Sequence, residues 1–208
     1  MPNQNRVTPF SNLIRTPARG TLTGNRGCLH DDAGRIRRDF LGKRWIICRL
    51  SFKGRHRQIM TPGHYTELFF LDEATALAAG HRPCAECQRE RFNLFRNLWS
   101  IANPGLAQTK PLPAPTLDGY LHEERNRSMP QINQALPEAK ELPNGAFVAD
   151  PANNAYLVLE GRFFLWRPEG YYGQPLINLL EPIQLLTPAS IIAALKAGFP
   201  VDIHPTAF

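Results

Sequence analysis

The chain has 208 residues, 43% of them apolar, with 12 phenylalanines and 3 tryptophans, enough for one substantial core or for a small domain with an appended one. No run approaches the ~18 uninterrupted apolar residues that a membrane span needs, and the opening MPNQNRVTPF lacks the apolar stretch of a secretory signal, so a cytoplasmic protein is expected. The net charge of +6 is uneven: residues 1–60 carry thirteen Lys and Arg against three Asp and Glu, and the remainder eleven against fifteen. That asymmetry favours an anionic partner for the front of the molecule, nucleic acid being the commonest, against the plainer reading of a solvated basic face.

Taken in chain order, residues 1–27 mix Pro, Gly, Asn and Arg without periodicity and predict an extended arm with turns, carrying one short strand near Leu22. RWIICRLSF (44–52) reads as a buried strand, KGRHRQIMTPGH as a turn-bearing loop, and YTELFFL (65–71) as a second strand. Asp72 is a helix cap before EATALAA, and Gly80 stops that helix. In QRERFNLFRNLWSIA (88–102), Phe92, Phe95, Leu98 and Trp99 fall on one helical face, and Pro104 and Gly105 end it. The proline-rich stretch AQTKPLPAP (107–115) is the best boundary. It suggests a basic domain over 1–105 with its N-terminal arm, a connector over 106–117 and a second domain over 118–208.

Beyond the connector come helical fragments broken by prolines. AFVAD and AYLVLEGRFFLW then alternate as antiparallel strands, joined by DPANN and turning again at Gly161. TPASIIAALKAG (187–198) reads as a terminal helix with Thr187 at its cap, Pro188 at its first position and Gly198 after it. The expected fold class is α+β: a small metal-stabilised unit of short strands and two helices, then a mixed region with an antiparallel hairpin.

The densest chemistry lies in AAGHRPCAECQRE (78–90), where Cys84 and Cys87 stand three apart behind a proline. A C-x-x-C pair on a tight turn points two thiolates at one ion, with zinc–sulfur distances of about 2.3 Å. A redox dithiol and two merely buried thiols are the alternatives. Two further ligands would come from Cys28 and Cys48, the remaining thiols, with His30 the chief rival for the fourth place and His56, His64 and His81 behind it. Cys48 also suits a core position on its strand. PCAEC fits the second half of a zinc deaminase signature, but no H-x-E precedes it.

FFLDEATALAAGHRPCAECQRE (69–90) resembles the end of the metal-binding domain of the Ada DNA-repair protein, and KRWIICRLSFKGR (43–55) is similar to that domain's preceding strand and hairpin. The resemblance spans about residues 43–91. It implies a zinc ion held by cysteines, with Cys84 and Cys87 matching the last two ligands, and a protein that grips DNA phosphates in repair or regulation. The family's earlier cysteine pair has no counterpart in KGRHRQIMTPGHYTE, so the thiol that accepts a methyl group there is missing from its place.

A phosphate-gripping surface is expected from Arg35, Arg37, Arg38, Lys43, Arg44, Arg49, Lys53, Arg55 and Arg57, with Trp45 and Phe52 facing inward more readily than stacking on bases. Outside this region DGYLHEERNR (118–127) is the richest ionisable group. Asp118, His122, Glu124 and Arg125 could serve a nuclease-like site as base, ligand or phosphate clamp, or form a salt-bridged helix surface. His204 has no local partner in the sequence.

Overall fold

A computed structural model describes residues 1–54, 58–126, 131–132, 141–173 and 183–208. Two six-stranded sheets and four helices are found among them, an α+β fold. The first sheet has the order β2-β1-β5-β3-β4-β6, from β1 (Gln4–Val7), β2 (Leu13–Arg15), β3 (Leu22–Asn25), β4 (Ile46–Arg49), β5 (Leu68–Phe70) and β6 (Arg82–Pro83). It is mixed: β1 runs parallel to β5 and β4 parallel to β6, while β3 is antiparallel to both β4 and β5. The second sheet is antiparallel, ordered β11-β10-β9-β8-β12-β7 from β7 (Gln131–Ile132), β8 (Phe147–Ala149), β9 (Ala155–Leu159), β10 (Arg162–Arg167), β11 (Gly170–Tyr172) and β12 (Ile183–Leu185). The helices are α1 (Glu73–Ala78), α2 (Arg89–Ala102), α3 (Ala114–Asn126) and α4 (Ala189–Lys196).

The N-terminal stretch is not an arm. It contributes three strands, because its polar side chains close on distant backbone: Asn5 donates to the Glu67 carbonyl at 3.0 Å and Thr23 to the Leu68 carbonyl at 2.8 Å. Gly24 sits where a Cβ would lie 2.1 Å from the Ile46 carbonyl oxygen, so only glycine lets β3 approach β4 there. Asp72 caps α1 as its sequence indicates, accepting from the Thr75 amide at 2.8 Å, and Gly80 follows the helix in the left-handed region at φ +79°.

α2 buries Phe92, Phe95 and Trp99 on the expected face. α3 begins inside the proline-rich stretch, at Ala114, so that segment is partly helix. One apolar cluster includes Leu68, Phe95, Leu121, Val148 and Ile191, drawing on residues before and after the connector.

The start of α4 departs from the sequence pattern. Pro188 occupies the cap and has no side chain to accept there, while the Thr187 hydroxyl accepts from the Phe147 amide at 2.9 Å. Glu124 of α3 takes over, accepting from the Ser190 amide at 2.8 Å and from its hydroxyl at 2.5 Å. One orphan amide of this helix is thus satisfied by a carboxylate from another. Among the described residues no helix is long and apolar enough to cross a membrane.

Candidate metal centre

Parallel pairing of β4 with β6 sets Ile46 opposite Arg82 and Ile47 opposite Pro83. The ladder continues one residue further, with the Cys84 amide donating to the Ile47 carbonyl at 2.9 Å. Cys48 on β4 therefore arrives beside the turn that leads into α2. The Sγ atoms of Cys48, Cys84 and Cys87 all lie within 4.8 Å of one another. Gln88 locks the turn from the far side, its side-chain amide donating to the Ile47 carbonyl at 2.9 Å and its backbone amide to the Cys84 carbonyl at 3.1 Å.

Tetrahedral ligation at about 2.3 Å per sulfur requires sulfurs about 3.8 Å apart, so the three thiols need shifts below about 1 Å to share an ion. Backbone donors already face them. The Glu86 amide lies 3.4 Å from Cys84 Sγ, and the Arg49 amide donates to Cys87. Such bonds favour thiolates. Hydrogen bonds from Cys48 and then Cys87 hold Cys84 well below the ordinary thiol range. The hydrogen bonds to Cys84 and Cys87, with burial, push Cys48 far up. Metal ligation by cysteine needs thiolates, so a cation bound here would displace thiol protons. The three cysteines could hold a metal ion.

Cys28 does not join them. Its sulfur contacts the His30 carbonyl oxygen at 3.7 Å, and Cys28, Cys48, Cys84 and Cys87 are all free thiols. His30 is likewise elsewhere, its ring bonded to the Thr66 hydroxyl at 2.6 Å and the Thr61 carbonyl at 3.3 Å. The expected fourth ligand is thus neither of these, and no other His, Cys, Asp or Glu among the described residues completes the group. His56 lies outside the described residues.

Most of the described basic residues of the front half are exposed. Arg35, Arg37, Arg38, Lys43, Arg44, Arg49 and Lys53 are exposed; Arg55 and Arg57 lie outside the described residues. Arg35 and Arg37 both pair with Asp31, at 3.0 and 2.8 Å, while the other five have no ion pair with a described residue. Trp45 is buried and Phe52 half-buried, consistent with inward-facing aromatics.

The structure disperses the 118–125 group. Asp118 and Arg82 form a buried bidentate pair at 2.9 and 2.8 Å, Glu124 caps α4, and His122 packs edge-on against Phe40. Arg125 turns under the first sheet, donating to the Gly80 carbonyl at 2.8 Å and the Lys43 carbonyl at 3.0 Å. Two of the three acidic or imidazole groups are therefore engaged in holding helices, and the trio does not converge. Sequence reasoning missed the burial of Arg26, His81 and Arg82. No local sequence signal marks them: none has an aromatic residue near it in the chain.

Comparison with protein-family models, curated proteins and solved structures yields no match.

Proposed function

We propose that the protein is a zinc-containing nucleic-acid-binding protein, acting on DNA in repair or regulation, with the metal as organiser of the binding face. The observation that carries this reading is the convergence of Cys48, Cys84 and Cys87 at the end of β4, where Cys48 is followed directly by the exposed Arg49. Three soft thiolates that can close to tetrahedral spacing with shifts below about 1 Å suit zinc among the common cellular metals. Arg49 follows Cys48 by one residue, so an ion fixing the sulfur also fixes where that guanidinium emerges. The resemblance of residues 43–91 to the Ada metal domain supports the same partner. Methyl transfer is not part of the reading, since the acceptor position has no thiol.

A nuclease-like site on α3 finds no support in the placement of Asp118 and Glu124, whose oxygens are taken by Arg82 and Ser190. The test is binding of duplex and single-stranded oligonucleotides by gel shift at 50 and 200 mM salt. Five phosphate contacts from Arg38, Lys43, Arg44, Arg49 and Lys53 give a log–log slope of about −4.5, a loss of roughly 10²–10³-fold. No binding at 50 mM salt, or a salt-independent complex, would remove the nucleic-acid reading.

A further inference from the structure

Beneath the basic face, the indole of Trp45 meets two guanidiniums. The Arg26 and Arg125 Cζ atoms lie 4.6 and 4.4 Å from its ring centroid. His81, wholly buried, stands 5.1 Å from the same indole and 4.8 Å from Phe70. The donor inventory here is incomplete. Arg26, 1% exposed, spends Nη1 and Nη2 on the Ser11 hydroxyl and carbonyl at 2.5 and 2.9 Å and leaves Nε without a partner. Arg125 bonds through Nε and Nη1 and leaves a buried Nη2 without one. Neither His81 nitrogen makes a hydrogen bond of normal geometry, although the Ala79 and Ala76 carbonyls face the ring.

The charges do not balance either. Among the described residues three guanidiniums, Arg26, Arg82 and Arg125, share the region with one buried carboxylate, Asp118, and Arg82 takes both of its oxygens. The next acids that act on the other two are Asp39, exposed on the surface, and Glu124, already bonded to Ser190. Burial lowers Arg26 to about 10 and Arg125 to about 9, the latter with Arg26 and Arg82 repelling it. Buried cations with spare donors and no counter-charge are costly unless an anion completes them.

We propose that this place is a phosphate-group subsite, with Arg26 and Arg125 gripping the oxygens and Lys43 and His122 at its rim. Guanidinium forks match phosphate geometry, and the ligand supplies the missing negative charge. Entry lies under residues 40–43. Phe40, 37% exposed, packs 5.6 Å from Trp45 and 5.2 Å from His122, and the Leu41 amide bonds the Arg26 carbonyl. Displacing this segment opens the two spare donors, and Phe40 is placed to stack on a base or sugar attached to the phosphate. The inference leans on the nucleic-acid reading only for the source of the phosphate: the end of a strand, or a free phosphate ester.

The experiment titrates the metal-loaded full chain with inorganic phosphate at constant ionic strength, chloride replacing it in the reference. Binding of one phosphate per chain is expected, with the unfolding midpoint rising by roughly 5–10 °C at hundredfold excess over the dissociation constant. Arg26→Met and Arg125→Met, which keep the aliphatic stem over Trp45, should each weaken phosphate by at least about tenfold. No saturable effect of phosphate on the wild-type chain, or full affinity in both variants, overturns the proposal. Should the methionine variants fail to fold, Lys43→Ala combined with His122→Gln decides at the rim: severalfold weaker phosphate supports the subsite, and unchanged affinity overturns it. Oligonucleotides with 5′-phosphate or 5′-hydroxyl ends separate the sources. A preference for the phosphorylated end assigns the site to a strand terminus, and equal binding beside intact phosphate affinity assigns it to a free ester. Gel-shift failure alone sinks the nucleic-acid reading and leaves the subsite standing.

Discussion

Replacing Asp118 by Asn keeps the shape of the side chain and deletes its charge. Both partners of the Arg82–Asp118 pair are almost wholly buried, with 3% and 6% of their side chains exposed, and two hydrogen bonds of 2.9 and 2.8 Å fix them. Removing one member of a buried pair costs about 3–5 kcal/mol, because the survivor stays desolvated without a counter-charge. Here the penalty is aggravated, since Arg26 and Arg125 lie close by and would then face Arg82 with no buried carboxylate among them. For a chain of this length the loss lowers the melting midpoint by roughly 6–20 °C. Arg82 stands two residues before Cys84 on the strand that aligns the thiols, so the substitution should also loosen metal retention in a competition with chelator. Thermal and urea unfolding of wild type and variant measure the cost, with Asp32→Asn, an exposed acid, as a control expected within about 0.5 kcal/mol. A loss below about 1 kcal/mol for Asp118→Asn would refute the claim that this pair holds α3 against β6.

His81 is neutral in the fold because burial, then Arg26 and Arg125, lower its pKa well below 6.5. Its contribution is therefore complete above about pH 6.5 and declines as pH falls, when the unfolded chain gains a proton that the folded chain refuses, by up to about 1.4 kcal/mol per pH unit. His81→Phe should flatten urea-unfolding stability between pH 6.5 and 5. His122, lowered by burial and by Arg125 and Lys43, leaves a residual slope of the same sign. An unaltered slope in His81→Phe contradicts this assignment. Glu124→Ala should cost about 1–2 kcal/mol and speed amide exchange at residues 190–192, since it removes the cap of α4; exchange as slow as wild type would show that the cap is dispensable. Cys28→Ser should leave metal stoichiometry and the melting midpoint unchanged, a result a four-cysteine site could not give.

Much of the local structure was legible in the sequence. The Asp72 cap, the Phe92, Phe95 and Trp99 face and the C-terminal strands follow from periodicity and turn chemistry, which act within a few residues. The thiol pair was equally plain. The third ligand was not, because it depends on β4 and β6 pairing in parallel, and nothing near Cys48 distinguishes it from Cys28 as a partner for residues 84 and 87. Of the N-terminal strands the one near Leu22 was legible; β1 and β2 were hidden for a similar reason, being short and held from a distance, Asn5 reaching the Glu67 carbonyl.

The 118–125 cluster misled through density alone. Residues 118 and 124 are six apart on a helix, about 240° around its axis, so they meet different neighbours. Buried Arg26 and His81 broke the rule that charged and polar groups stay outside. The places where that rule fails are where a ligand is sought.

The claim on which the account turns is that Cys48, Cys84 and Cys87 bind one ion. Elemental analysis of the purified chain, followed by cobalt substitution and absorption spectroscopy, tests it directly. About one zinc per chain, thiolate-to-cobalt charge-transfer bands, and loss of both in Cys48→Ser but not in Cys28→Ser are the predicted results. A metal-free protein whose melting curve is unmoved by chelator, or one that loses its ion on substitution of Cys28, would contradict it.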